Sequence, residues 1–174
     1  MYKQDSNILQ YTTTTTTTSH KTVMVDGLSI FYRETGDPTN PKLLLLHGFP
    51  SSSHQYRNLM SALAHHFHII SPDYPGFGNS DMPDRSKFTY TFDKLAEIVE
   101  GLLKQIGFTQ FGLYVQDYGG PIGFRIIHRN PEWLEWLIRT PMLTKLVSPK
   151  HGMDSVTHYG RIAALKLKDH SLPS

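Results

Sequence analysis

At Val115-Gln116-Asp117-Tyr118-Gly119-Gly120 a short apolar run gives way to a carboxylate and then to two glycines. Small residues beyond the apex let a strand turn steeply into a helix, which exposes the apex side chain. Asp117 is therefore a candidate reactive group. Taken alone, an aspartate in a glycine-rich turn is more often a turn former whose carboxylate binds nearby amides. A second abrupt strand end is Leu46-His47-Gly48-Phe49-Pro50. In α/β sheets, reactive groups gather at the carboxyl ends of strands. His47, one residue beyond a buried run, reads as a structural hydrogen-bonding group beside that loop rather than as a base. His65, His66 and His68 span a helix–strand junction with no accompanying carboxylate, so no metal is expected there. Gly76 and Gly78 lie in a loop without the Lys-Ser/Thr of a phosphate-binding loop. That loop reads as a turn shaping the site, with Asp73 in a structural role.

The elements that would position these groups follow from patterning. Val23 and Val25, the turn signal Asp26-Gly27, and Leu28 to Tyr32 read as a β-hairpin. Leu43 to Leu46 is continuously apolar, which fits a strand buried on both faces. Tyr56, Leu59, Met60 and Leu63 recur at helical spacing within 55–64. Residues 67–70 form another buried strand. The clearest helix covers 91–106, where Phe92, Leu95, Ile98, Val99, Leu102, Leu103 and Ile106 make one stripe; Gly107 stops it. A strand over 111–115, a helix over 119–130 and a strand over 134–138 follow. A hairpin, then strands and helices in alternation, implies a parallel sheet with helices on both faces.

Composition narrows the function. The chain has 174 residues and a net charge of +2 with histidines neutral. That is one domain's length, and no basic run suggests nucleic acid as a partner. The absence of cysteine excludes disulfides and thiolate catalysis. No run of about 20 apolar residues indicates a membrane span, and the N-terminus lacks a signal-peptide core. A cytoplasmic location is the default expectation. Residues 1–20, with threonines from Thr12 to Thr18, read as a disordered tail.

Three motifs in order carry a resemblance: His47-Gly48-Phe49-Pro50, "DYPGFGNSD" from Asp73 to Asp81, and "VQDYGGPIGFR" from Val115 to Arg125. Over 21–138 the chain resembles the α/β-hydrolase superfamily, and within it the epoxide hydrolase and haloalkane dehalogenase-like group. The resemblance implies an α/β fold, here an incomplete α/β-hydrolase core. An N-terminal hairpin and parallel strands with flanking helices are present, and the cap and C-terminal strands are missing. It places the nucleophile at Asp117 and the oxyanion-hole donors at the backbone N–H groups of Phe49 and Tyr118. An aspartate there suits attack on an sp³ carbon, giving an alkyl-enzyme ester, since a carboxylate is a nucleophile that needs no separate base to activate it. A histidine-activated water would then hydrolyse that ester. The implied partner is a small molecule with an electrophilic carbon, and no cofactor or metal is implied. Haloalkane dehalogenases usually carry Asn after the His-Gly pair and Trp after the nucleophile. Phe49 and Tyr118 stand there instead, which tilts the reading toward epoxides.

Beyond Ile138 the resemblance stops, and His151, His158 and His170 match no family motif. Permissible codons for Arg139 to Lys145, read two bases on, give Asn-Thr-Asn-Ala-Tyr-Glu, similar to the family's continuation "QNxNAYEEGL". Residues 139–174 are therefore expected to be a frameshifted tail. The chain is then expected to lack the catalytic acid and base and to be inactive as a fragment. It is expected to expose residues 134–138 as an edge apolar on both faces, and so to be poorly soluble. Two other classes stay open: a non-catalytic binding module and a non-functional product. A dehalogenase-like hydrolase is a further alternative, and a serine-type esterase the weakest.

Overall fold

The computed structural model describes residues 17–139. Most of the threonine-rich segment and nearly all of the 139–174 tail lie outside the described residues. Six strands form one mixed sheet in the order β1-β2-β4-β3-β5-β6. β1 (Ser19–Val25) and β2 (Leu28–Thr35) pair antiparallel. The turn between them needs two left-handed residues, and Asp26 (φ +48°) and Gly27 (φ +78°) supply them. β1 begins at Ser19, inside the span read as tail, because Ser19 and His20 pair with Glu34 and Arg33.

β3 (Lys42–Leu46) is the centre of the sheet, parallel to β4 (His68–Pro72) on one side and to β5 (Phe111–Val115) on the other. Its four leucines are all buried. Successive strand side chains point to opposite faces, so Leu44 and Leu46 join one core cluster while Leu43 and Leu45 join another. The larger cluster packs α2 (Phe92–Gln105) and α3 (Gly119–Arg129) on one face; the smaller packs Tyr56 and Met60, at and within α1 (Arg57–Leu63), on the other. β4 runs through Pro72, two residues past its expected end, because Ser71 and Pro72 pair with Arg33 and Tyr32 of β2. That β2–β4 pairing is antiparallel, so the sheet is mixed rather than parallel throughout.

α2 has a defined start and stop. The Thr91 hydroxyl accepts from Lys94 N at 3.2 Å, a side-chain N-cap. At the other end Gly107 adopts φ +68°, Phe108 N donates to Leu103 O at 2.9 Å, and Gly107 N donates to Lys104 O at 3.3 Å. This is a Schellman ending, which satisfies the last carbonyls. β6 (Leu134–Arg139) is the outer strand among those described, paired to β5. It is not apolar on both faces. Glu135 and Ile138 are exposed, while Trp136 lies close over Gly112 and tilts against Phe67 at 5.8 Å.

Candidate active site

The ends of β3 and β5 meet at the carboxyl edge of the sheet. Asp117 stands at the apex between β5 and α3 with φ +49°. A non-glycine residue held there stores about 1–3 kcal/mol of backbone strain, a cost that surrounding structure must enforce. The enforcement is visible. Gly119 N donates to Gln116 O and Gly120 N to Asp117 O, both at 2.9 Å, and Gln116 N reaches Leu46 O at 3.3 Å. Two glycines make the close approach possible. A Cβ on Gly48 would lie 2.5 Å from the Asp117 Cβ, and one on Gly119 would lie 2.2 Å from the Leu46 carbonyl oxygen.

The exposed loop after β3 returns a donor to the apex. Phe49 N–H donates to Asp117 Oδ1 at 2.9 Å. Asp117 is half-buried, and its Oδ2 accepts no hydrogen bond from the described residues. Tyr118 follows at the N-cap of α3. Phe49 and Tyr118 face each other at 5.5 Å between ring centroids, with Phe77 6.4 Å from each and Phe92 edge-on to Tyr118 at 5.0 Å. These rings border an open cleft of 1290 Å³. Asp117 does not line it, whereas Phe49 and Tyr118, on either side of the carboxylate, do.

His47 is fully buried beneath this arrangement. Its Nδ1–H donates to Gly48 O at 3.0 Å, and its ring stacks on Tyr74 at 4.1 Å. The Tyr74 hydroxyl in turn donates to His47 O at 2.8 Å. Nε2 is buried without a partner, so a proton placed there would have no acceptor. Burial lowers the imidazole's pKa, more than the Gly48 carbonyl and the Asp73 charge raise it. The imidazole is therefore neutral at pH 7. The unfolded chain, with His47 near 6.5, binds this proton more readily than the folded one. Stability is thus expected to be full above about pH 6.5 and to fall as pH drops from there through the folded value. Urea melts across pH 7.5 to 5 check this: His47→Gln should flatten that limb.

Asp73 is also fully buried and clasps the loop that follows it. It accepts from Ser53 N at 2.6 Å and Asn79 N at 2.9 Å, and its carbonyl accepts from the Ser80 hydroxyl. Only glycine fits at 78, where a Cβ would lie 2.0 Å from the Asp73 Oδ2. Asp73→Ala would strand two buried-facing amides and is expected to cost about 3 kcal/mol, read as a lower urea midpoint with an unchanged slope.

Among the described residues, no histidine nitrogen hydrogen-bonds to Asp117. His68, one of the three clustered histidines, contacts Glu34 Oε1 at 2.6 Å instead. Phe77, Phe92 and Arg125 also border the cleft, and sequence reasoning misses them as site residues. Phe92 belongs to the core stripe by its spacing, yet it stands half-exposed under the Arg125 guanidinium at 5.7 Å. The loop position of Phe77 between Gly76 and Gly78 is the one available signal for it.

Residues 41–133 match the family model described as alpha/beta hydrolase fold. The chain is 44% identical over 119 residues to the uncharacterized hydrolase YNR064C of Saccharomyces cerevisiae, covering 68% of this chain and 40% of that protein. It is 32% identical over 131 residues to a soluble epoxide hydrolase of a Corynebacterium species, covering 74% of this chain and 43% of that one. Among solved structures, a haloalkane dehalogenase loop variant from Bradyrhizobium elkanii superposes with a TM-score of 0.67 at 34% identity, over 71% of this chain and 40% of that one. The chain thus spans about two fifths of the length of these relatives.

Proposed function

This chain belongs to the alpha/beta hydrolase fold family, in its epoxide hydrolase and haloalkane dehalogenase-like group, and on that premise we propose that Asp117 is the nucleophile of an epoxide-opening reaction. The observation that carries this is the strained apex carboxylate with Phe49 N–H at 2.9 Å from its Oδ1. Oδ2 attacks an epoxide carbon, the carbon–oxygen bond breaks, its electron pair stays on oxygen, and that oxygen takes up a proton. An ester between Asp117 and the substrate results. The N–H groups of Phe49 and Tyr118 are the donors for the oxyanion that forms when water later attacks this ester. Each such donor is worth about 3 kcal/mol of barrier. Halide release is the less supported alternative, because Phe49 and Tyr118 bring no Asn or Trp side-chain donor to the apex.

Turnover needs a base to activate water, and the described residues bring none to Asp117. For residues 17–139 the reading is therefore ester formation without hydrolysis. Incubation with styrene oxide followed by mass mapping tests it. One covalent addition on the peptide holding Asp117 supports the reading, and an unmodified Asp117 sinks it. The shifted frame from Arg139 is a separate proposal resting on the sequence alone. Sequencing genomic DNA and transcript from the Trp133 codon decides it.

A further inference from the structure

We propose that Gln55 is a positioning residue for Asp117, acting through Gln116, an assignment that rests on the nucleophile reading of the same apex. The ladder between β3 and β5 ends at Leu46 and Val115. The Phe49 N–H and the Asp117 carboxylate both lie beyond that end, where no strand pairing fixes their separation. Among the described residues one backbone hydrogen bond continues past the ladder, from Gln116 N to Leu46 O, and it is long at 3.3 Å. A single pair of side chains bridges the two segments by hydrogen bond among the same residues: Gln55 Nε2 donates to Gln116 Oε1 at 3.2 Å. Both glutamines are half-buried.

Gln55 sits on a fixed platform. The short helical turn Ser53–Tyr56 is held from three sides. Ser53 N donates to Asp73 Oδ1 at 2.6 Å, Arg33 Nε donates to Ser53 Oγ at 3.2 Å, and the Tyr56 hydroxyl donates to Leu46 O at 2.9 Å. The same stretch of chain carries Phe49, and Ser51 N donates to Gly48 O at 3.0 Å within it. Gln55 therefore ties the piece that holds the Phe49 N–H to the residue before the apex. That apex is strained at φ +49° and relaxes unless its surroundings oppose it. The Gln55 contact opposes relaxation from the donor's own side. It keeps Asp117 Oδ1 on Phe49 N–H and so leaves Oδ2 as the oxygen that reacts. One neutral hydrogen bond of this kind shifts an equilibrium about fivefold.

The test uses the full chain and two readouts. The first is hydrogen exchange at the Phe49 amide, which belongs to an exposed residue and owes its protection to Asp117. Gln55→Met and Gln116→Met keep the side-chain length and remove the hydrogen bond. Each is expected to speed exchange at Phe49 about fivefold. The double variant should exchange no faster than either single one, as a pairwise contact demands. Ile98→Val, in the core of α2, lowers the urea midpoint and should leave Phe49 exchange unchanged. Unchanged exchange in either glutamine variant, effects that multiply in the double variant, or equal acceleration by Ile98→Val overturns the clamp. The second readout is the rate of adduct formation from styrene oxide per folded molecule, expected to fall about fivefold in each glutamine variant. A rate that holds while exchange rises overturns the positioning role. If the parent forms no adduct on Asp117 while the exchange pattern holds, the nucleophile reading fails and the Gln55 clamp on the apex stands.

Discussion

Asp117→Asn is expected to remove covalent addition from styrene oxide altogether, a loss of at least about a thousandfold in adduct rate. The substitution is nearly isosteric. An asparagine Oδ1 can still accept from Phe49 N–H, so the contact at 2.9 Å has a partner in both forms. Asparagine also tolerates the left-handed conformation that the apex requires. Stability should therefore be close to that of the parent, and the loss is chemical: a neutral amide does not displace an oxygen from carbon at a useful rate. Mass mapping after incubation for the same time measures it. An adduct of equal yield in the parent and in the Asp117→Asn variant would show that the modification is surface chemistry unrelated to the apex.

Gly119→Ala is the structural counterpart. Gly119 lies at the start of α3 with its Cα against the backbone of β3. An added Cβ would lie 2.2 Å from the Leu46 carbonyl oxygen and 2.7 Å from its carbon. Backbone cannot rotate away as a flexible side chain would. α3 must lift from the sheet, or the apex must open. Overpacking of this kind costs about 3 kcal/mol or more, read as a lower urea midpoint. The same residue tests coupling between packing and chemistry. If α3 moves, Asp117 leaves its contact with Phe49 N–H, and adduct formation should fall even in the fraction that stays folded. Unchanged stability together with unchanged adduct yield would mean that the strand-to-helix corner is looser than its geometry implies.

Local features of this fold were readable because local rules decide them. Asp26-Gly27 specifies its turn through φ, and Thr91 and Gly107 bound α2 through capping. Leu43 to Leu46 announce a strand with no solvent-facing side, and all four are buried. The neighbour relations were not readable. Nothing in the residues of β2 and β4 says that they pair antiparallel, since that is settled by how the hairpin lies across the sheet. The sharp strand-to-helix corner at Asp117 was legible from its two following glycines, whereas the roles given to Asp117, Phe49 and Tyr118 come from the family resemblance. The wall around the corner was not legible. Phe77 and Phe92 meet Tyr118 from a loop and from the first turn of α2, and such meetings are products of packing, which a stripe or a turn signal does not encode. The β6 edge is mixed: Glu135 turns a charge outward from one face, while Ile138 on the other is an exposed apolar side chain.

The hydrogen bond from Phe49 to Asp117 joins residues 68 positions apart. Between them along the chain lie α1, β4 and α2, and β5 settles beside β3 across that span. Parallel pairing across such a span is slow to form, because the closure entropy is lost before the contact is made. The pairing of the two strand ends is therefore expected to come late in refolding. A reagent that adds to Asp117 would then count native molecules and pass over collapsed ones. Pulse-labelling during refolding would time the closing of the sheet's centre at a single residue.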